Sequence, residues 1–394
     1  MIKLFGGEYS VNKKESQLKC TKDILDTLNI PYVHVKDIKP HESWDIAEII
    51  TQHKDSLNKN DLIVIDNFSH HDGNPNKVLD KFKDLKFLIF CYDLVAGIEE
   101  EHLYHNTSEK NYQVVSPVVF DIDNKDSFNY YAWNYSKSSD LAVSRYLFDS
   151  FNKNLKDKKF IAPFGFLRWD RFLTYQSLIQ SNNINDGWVS FSMKYNYGQE
   201  DWTFFENQLE GFDISEDDVD MKLLEETKNK IPFSFDRNTS NDFIKKYSEN
   251  SFANSNARLE LLYRHNSYVG VVNDTQPANK VPFYTSEKLW KPFLTFQFPF
   301  IIGNSFVYKF LKNLDFDLFE DIFEMDVNPI EINTKDLVNT QLDVLNKFLS
   351  KDKLEIHEIY QKCKPRFIHN FENMIRYGQL QESHLKEYIS KPVI

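Results

Sequence analysis

Short apolar runs alternate with segments of helical periodicity through the first 120 residues. "IKLFGG" reads as a strand, and "ESQLKCTKDILDTLN" after it carries apolar residues at helical spacing. "YVHVKD" alternates with a period of two, and "NDLIVIDNF" is a continuous apolar run of the kind needed by a parallel strand covered on both faces. "NKVLDKFKDL" and "KFLIFCYDLV" repeat helix then strand, and "YQVVSPVVFDI" gives a further strand. This alternation leaves few architectures open. Parallel neighbours need a crossover of about a dozen residues or more, and a helix supplies it.

The pattern loosens between residues 125 and 160 and then restarts. "KKFIAPFG" is a strand, "RWDRFLTYQSLIQS" a helix and "GWVSFSM" a strand. Residues 195–250 are polar and charged and read as an insertion or a long surface helix pair. "SYVGVVND" and "FPFIIGN" are strands, and "FVYKFLKNL" and "TKDLVNTQLDVLNKFLS" are helices. The expected fold is therefore α/β, with two Rossmann-like domains facing a cleft. An N-terminal domain occupies 1–150 and a second one 155–345, with a helical tail, 346–394, crossing back. Ligands of such open sheets sit outside the carboxyl ends of the strands.

Composition narrows the function classes. A net charge of -12 argues against a broad non-specific nucleic-acid surface, which needs clustered Lys and Arg. Only 11 glycines in 394 residues argue against a Gly-rich phosphate loop as the main binding device. Cys20, Cys91 and Cys363 are widely spaced and odd in number, which fits a reduced, cytoplasmic protein. No run of about 18 apolar residues predicts a membrane span, and "MIKLFGGEYS" lacks the apolar region of a signal peptide. No nucleophile elbow, zincin, Walker or dinucleotide glycine motif is present. The adjacent pair His70–His71 in "SHHDG" lacks a third ligand at metal spacing, and "DIDN" (Asp121–Asn124) reads as a turn. No metal and no resident cofactor is expected.

One stretch, "PFYTSEKLWKPFLTFQFPFIIGN" (282–304), sets polar residues at a helix start within an apolar, aromatic context. Thr285 or Ser286 is a natural N-cap. The free N–H groups and positive dipole end there suit an anion. Lys288 adds a positive charge to a first turn that ordinarily prefers acids, and Pro292 removes a helical hydrogen bond. The plain alternative is a surface pair between Glu287 and Lys291 with Lys288 solvated.

This segment resembles the C-terminal signature of nucleotide-sugar glycosyltransferases of the GT-B type. It is similar to the "TEK" segment of the α-1,3-fucosyltransferase family, and more so to glycosyltransferase-like proteins of phages and large viruses. "FIAPFGFLRWDRFLTYQSL" (160–178), "GWVSFS" (187–192) and "FLKNLDFDLFEDIF" (310–323) extend the resemblance over about residues 155–325. It departs in the Ser286 between Thr and Glu, and in Asp274–Thr275, where related sequences carry a Glu-Thr pair. The resemblance implies a donor site in which Glu287 binds ribose hydroxyls and Lys288, with Thr285 and Ser286 at the helix end, a donor phosphate. Arg168 and Arg171 would add phosphate contacts, the alternative being a surface pair flanking Trp169 and Asp170.

Glycosyl transfer also needs a base for the acceptor hydroxyl. Candidates at strand ends of the first domain are Glu8, Asp66 and Asp93, with His70 and His71 in a nearby loop. The resulting expectation is a metal-independent Leloir-type glycosyltransferase with a nucleotide-sugar co-substrate. Its acceptor would be a glycan, a protein or a modified DNA base. The competing expectation is a non-catalytic α/β protein that binds a nucleotide or a partner.

Overall fold

The computed structural model describes residues 1–5, 25–26, 28–35, 51, 53–65, 84–90, 112–115, 118–119, 132, 154–194, 201–215, 217–233, 263–273, 283–326 and 333–390. The chain divides into two compact units, Met1–Asn134 with Gly378–Ile394, and Tyr135–Tyr377.

The first unit holds a five-stranded sheet of β1 (Ile2–Phe5), β2 (Tyr32–Val35), β3 (Leu62–Ile65), β4 (Lys86–Phe90) and β5 (Tyr112–Val115). Its order is β2-β1-β3-β4-β5, and every pairing is parallel. Ile63, Val64, Phe87 and Leu88 are fully buried, as strands covered on both faces require. A two-residue strand, β6, follows at Val118–Val119.

The second unit is built on β7 (Lys158–Phe164), β8 (Gly187–Phe191), β9 (Ser267–Asn273) and β11 (Phe298–Ile302), in the order β11-β9-β7-β8 and again all parallel. The short β10 is Phe283–Tyr284. Helix α1 (Trp169–Gln180) links β7 to β8, and α4 (Glu287–Leu294) lies between β9 and β11. The polar segment expected as an insertion or long surface pair contains two short helices, α2 (Thr203–Gly211) and α3 (Met221–Lys230). Asp220 caps α3 by accepting from the Leu223 N–H at 2.9 Å, and Leu224 and Thr227 are its buried contacts.

Helices α5 (Phe306–Asn313), α6 (Glu320–Phe323), α7 (Thr334–Leu349), α8 (Lys353–Lys362) and α9 (Lys364–Ser390) complete the chain. The second unit runs to Tyr377, so α7, α8 and the first half of α9 are part of it. Helix α7 packs on α1 and β11, and α8 packs on β9. α7 buries Leu337, Val338, Gln341, Leu342, Leu345, Phe348 and Leu349, a stripe with helical period. Asn333 starts it by accepting from the Asp336 N–H at 2.9 Å.

The heavy use of phenylalanine is explained by the core of this unit. Phe298 of β11 meets the rings of Phe319, Phe323, Phe348, Tyr360 and Phe367 at centroid distances between 4.9 and 6.0 Å. Burying each such side chain is worth about 1.5–3 kcal/mol, so this cluster contributes substantially to the stability of the sheet and its helices.

Candidate functional site

In the second sheet the chain leaves β7 toward β8 on one side and returns on the other side through β9 and β11. The strand order therefore reverses between β7 and β9, and the crevice of such a sheet opens outside their carboxyl ends. Those ends are Phe164 and Asn273. Helices α1 and α4 each lie in the connection between one parallel strand and the next. Their N-termini, with unsatisfied N–H groups and positive dipole ends, face the same carboxyl edge.

At the start of α1 the N-cap residue is Arg168, whose side chain makes no capping bond. The guanidinium turns instead to Asp170, with Nε to Oδ1 at 2.5 Å and Nη2 to Oδ2 at 2.9 Å. Both side chains are almost fully enclosed, at 1% and 0% exposure. Asn273 closes the cluster from β9. Its Nδ2 donates to Asp170 Oδ2 at 3.0 Å, to the Asp170 carbonyl at 3.3 Å and to Thr174 Oγ1 at 3.1 Å. The Thr174 hydroxyl in turn donates to the Asp170 carbonyl at 2.7 Å. Burial alone would raise the Asp170 carboxyl. The Arg168 charge and hydrogen bond, the Arg171 charge and the Asn273 amide outweigh it and hold the group below the ordinary carboxylate value. Arg171 is also buried; its Nη1 donates to the Phe166 carbonyl at 2.9 Å, and its guanidinium lies 4.9 Å from the Phe166 ring centroid. The two arginines are thus not a surface pair. They flank a helix start, at the carboxyl edge of the sheet, whose N-cap side chain makes no capping bond.

At the start of α4 Ser286 is the N-cap, accepting from the Lys288 N–H at 3.3 Å. Thr285 and Ser286 are both buried, Glu287 is the first helical residue, and Lys288 is half-buried. Lys291 is 3% exposed, so the surface-pair reading of Glu287 and Lys291 does not hold for this lysine. Pro292 lies inside the eight-residue helix. It removes the N–H that would otherwise bond to the Lys288 carbonyl. After β11, Gly303 adopts φ 116°, which glycine tolerates, and donates its N–H to Gln341 Oε1 at 2.8 Å. Asn304 Oδ1 then accepts from the Phe306 N–H at 2.9 Å at the start of α5.

The opposite, amino edge of the sheet also buries polar groups, but these are bonded to one another. Gln297 Nε2 donates to Ser267 Oγ at 2.7 Å, and Thr295 Oγ1 donates to Gln297 Oε1 at 3.1 Å. Lys156 donates from Nζ to the Ser267 carbonyl at 3.0 Å and lies 4.3 Å from the Tyr360 ring centroid. Burial pushes its amine well below the ordinary lysine value. Burial, with the Lys156 charge second, pushes the His265 imidazole down to about 4.

Glu8, Asp66, His70, His71, Asp93, Asp121, Asn124, Asp274 and Thr275 lie outside the described residues. Among the described residues there is no group of three or more His, Cys, Asp and Glu side chains able to hold a metal ion. Among them, too, no helix is long and apolar enough to cross a membrane. Sequence reasoning gave no role to Asp170 or Asn273. The available signals were an acid set between two arginines and an amide ending an apolar strand.

No protein-family model matches the chain, and no curated protein matches it. Among solved structures it is similar to an α,α-trehalose-phosphate synthase (UDP-forming) from Burkholderia xenovorans in complex with glucose-6-phosphate. The identity is 11% and the TM-score 0.39, over 88% of this chain and 78% of that one. The site is therefore read from its own residues.

Proposed function

We propose that this chain is a glycosyltransferase that takes its sugar from a nucleoside-diphosphate donor held at the carboxyl edge of the second sheet. The observation that carries the reading is the start of α1. It is an uncapped helix N-terminus at the strand-order reversal, flanked by Arg168 and Arg171. Backbone N–H groups and guanidinium forks suit a diphosphate. Lys288, in the first turn of α4 on the same edge, adds a cation where a helix gains nothing from one. The resemblance of the "SEK" segment to nucleotide-sugar glycosyltransferases supports the same reading, with Glu287 on the ribose hydroxyls.

In the reaction an acceptor oxygen bonds to the anomeric carbon as the bond from that carbon to the diphosphate breaks. The acceptor proton passes to a base, for which Glu8, Asp66 and Asp93 remain the candidates. The diphosphate departs with added negative charge, and positive groups set in place beforehand stabilise it. Arg168, Arg171 and Lys288 supply that charge in this proposal, and transfer proceeds without a divalent metal. The acceptor is a glycan, a protein or, as the phage-like resemblance suggests, a hydroxymethylated DNA base.

The test is thermal-shift screening against nucleoside diphosphates and nucleotide sugars, followed by a sugar-release assay with and without chelator. Stabilisation by one nucleotide and chelator-resistant release support the reading. Absence of any nucleotide-dependent shift overturns it, and loss of activity in chelator with rescue by manganese overturns its metal independence.

A further inference from the structure

Asn273 is 3% exposed and ends β9 beside the strand-order reversal. Side chains alternate along a strand. Gly270 faces α4, where a β-carbon would approach Pro292, so Asn273, three residues on, faces the side of α1. Its carboxamide orientation is fixed. Nδ2 donates to the carboxylate and carbonyl oxygens of Asp170 and to the Thr174 hydroxyl oxygen. Turning the amide over would set Oδ1 against those oxygens instead. Oδ1 is therefore held away from them, and it is buried without a hydrogen-bond partner among the described residues. A buried acceptor left unpaired loses its hydration with no return, and such atoms are uncommon in folded proteins.

From this, and resting on the proposed nucleotide-sugar site, we infer that Asn273 is a specificity-determining residue whose carboxamide oxygen accepts a hydrogen bond from a hydroxyl of the donor's sugar. The neighbouring groups divide the donor chemically. Arg168, Arg171 and the backbone N–H groups at the start of α1 supply donors and positive charge, offset in part by the Asp170 carboxylate that pairs with Arg168, and this suits phosphate. An acceptor oxygen in their midst repels phosphate and suits a hydroxyl. Within a nucleotide sugar, the hydroxyls nearest the diphosphate belong to the ribose and to the transferred sugar, and Glu287 is the partner proposed for the ribose.

The test compares nucleotide sugars with the corresponding bare diphosphates by calorimetric titration, using UDP-glucose against UDP and GDP-mannose against GDP. Wild type and Asn273→Ala are measured, with Asn273→Ser as a second variant that keeps a hydroxyl for Asp170. The inference expects the variants to bind the sugar-bearing ligand about two- to tenfold more weakly, the worth of one hydrogen bond, with the bare diphosphate unchanged. A purely structural role moves both ligands equally or neither, and that result overturns the inference while leaving the donor site intact. Failure of both variants to fold assigns Asn273 to structure alone and also overturns it. If wild type binds none of the four ligands, the donor-site reading falls and the inference falls with it.

Discussion

Pro292 of α4 packs against Gly270 of β9 so closely that a β-carbon at position 270 would lie 2.9 Å from the proline Cγ. The same β-carbon would lie 2.9 Å from Gln297 Oε1 and 3.1 Å from Arg264 Nη1. A proline a few residues into a short helix thus has a packing partner. It lets α4 lie directly on the strand backbone at the one position of β9 that lacks a side chain, which fixes where the helix start falls. Gly270→Ala is expected to destabilise the protein by about 1–3 kcal/mol, the usual cost of overpacking. Pro292→Ala in the same chain should recover part of that loss. Urea denaturation of the two single variants and the double one measures the coupling; strict additivity would show that the two residues do not press on each other.

Asp170 gives the fold an acid-sensitive point. Its folded-state pKa is depressed, with the Arg168 charge and hydrogen bond foremost among the groups that outweigh burial. The stabilisation is therefore complete above the ordinary carboxylate value and is lost as pH falls through the lower, folded value. Asp170→Asn leaves Arg168 buried without its counter-charge, which should cost about 3–5 kcal/mol near neutrality. The gap between wild type and variant should close as pH drops below about 4, the ordinary range of the group. Denaturation at a series of pH values checks this, and a gap independent of pH would refute it.

Lys156 gives the same sign of pH dependence in a higher pH window, but by destabilising the fold at neutral pH. Burial lowers its folded-state pKa, so between that value and the ordinary one the unfolded chain binds more protons and stability rises with pH. The groups around it are His265, Tyr268, His357 and Tyr360; Tyr268 accepts from the Lys156 N–H and bonds His357. Lys156→Met keeps the packing and removes the buried amine. It is expected to raise stability at neutral pH, with the gain shrinking as pH approaches about 10. Melting curves at pH 7 and pH 10 test the sign.

Ser286 has a narrower role. It caps α4 through the Lys288 N–H, and Ser286→Ala should cost about 1 kcal/mol of stability. Melting temperature is the readout, and an unchanged value would mean that the cap contributes nothing.

Much of this architecture is legible in the residues. β11 is apolar throughout and β9 is apolar between Ser267 and Asn273, and α1 and α7 carry clear helical periodicity, so strand–helix alternation led directly to two parallel sheets. The pairing of Arg168 with Asp170 was not legible, because residues two apart do not face each other on a helix. It forms because Arg168 is outside the helix, with φ -143° and ψ 151°, and folds back over the first turn. The burial of Lys291 was hidden for a different reason. Charge spacing suggested an exposed face, whereas Leu289, Trp290, Phe293 and Leu294 show the short helix enclosed on most sides. Asn273 looked like a strand end, and only the three acceptors around its Nδ2 reveal which way its oxygen is held.

The central claim is that the helix starts at the carboxyl edge of the second sheet hold a nucleoside diphosphate. Calorimetric titration of wild type and Lys288→Ala with UDP and GDP tests it most directly. One charge-assisted contact is worth roughly 1.5–3 kcal/mol, so Lys288→Ala should bind the preferred diphosphate about ten- to a hundredfold more weakly than wild type, with an almost unchanged melting temperature. Wild-type affinity in the variant, or no binding of either diphosphate by wild type, would contradict the claim.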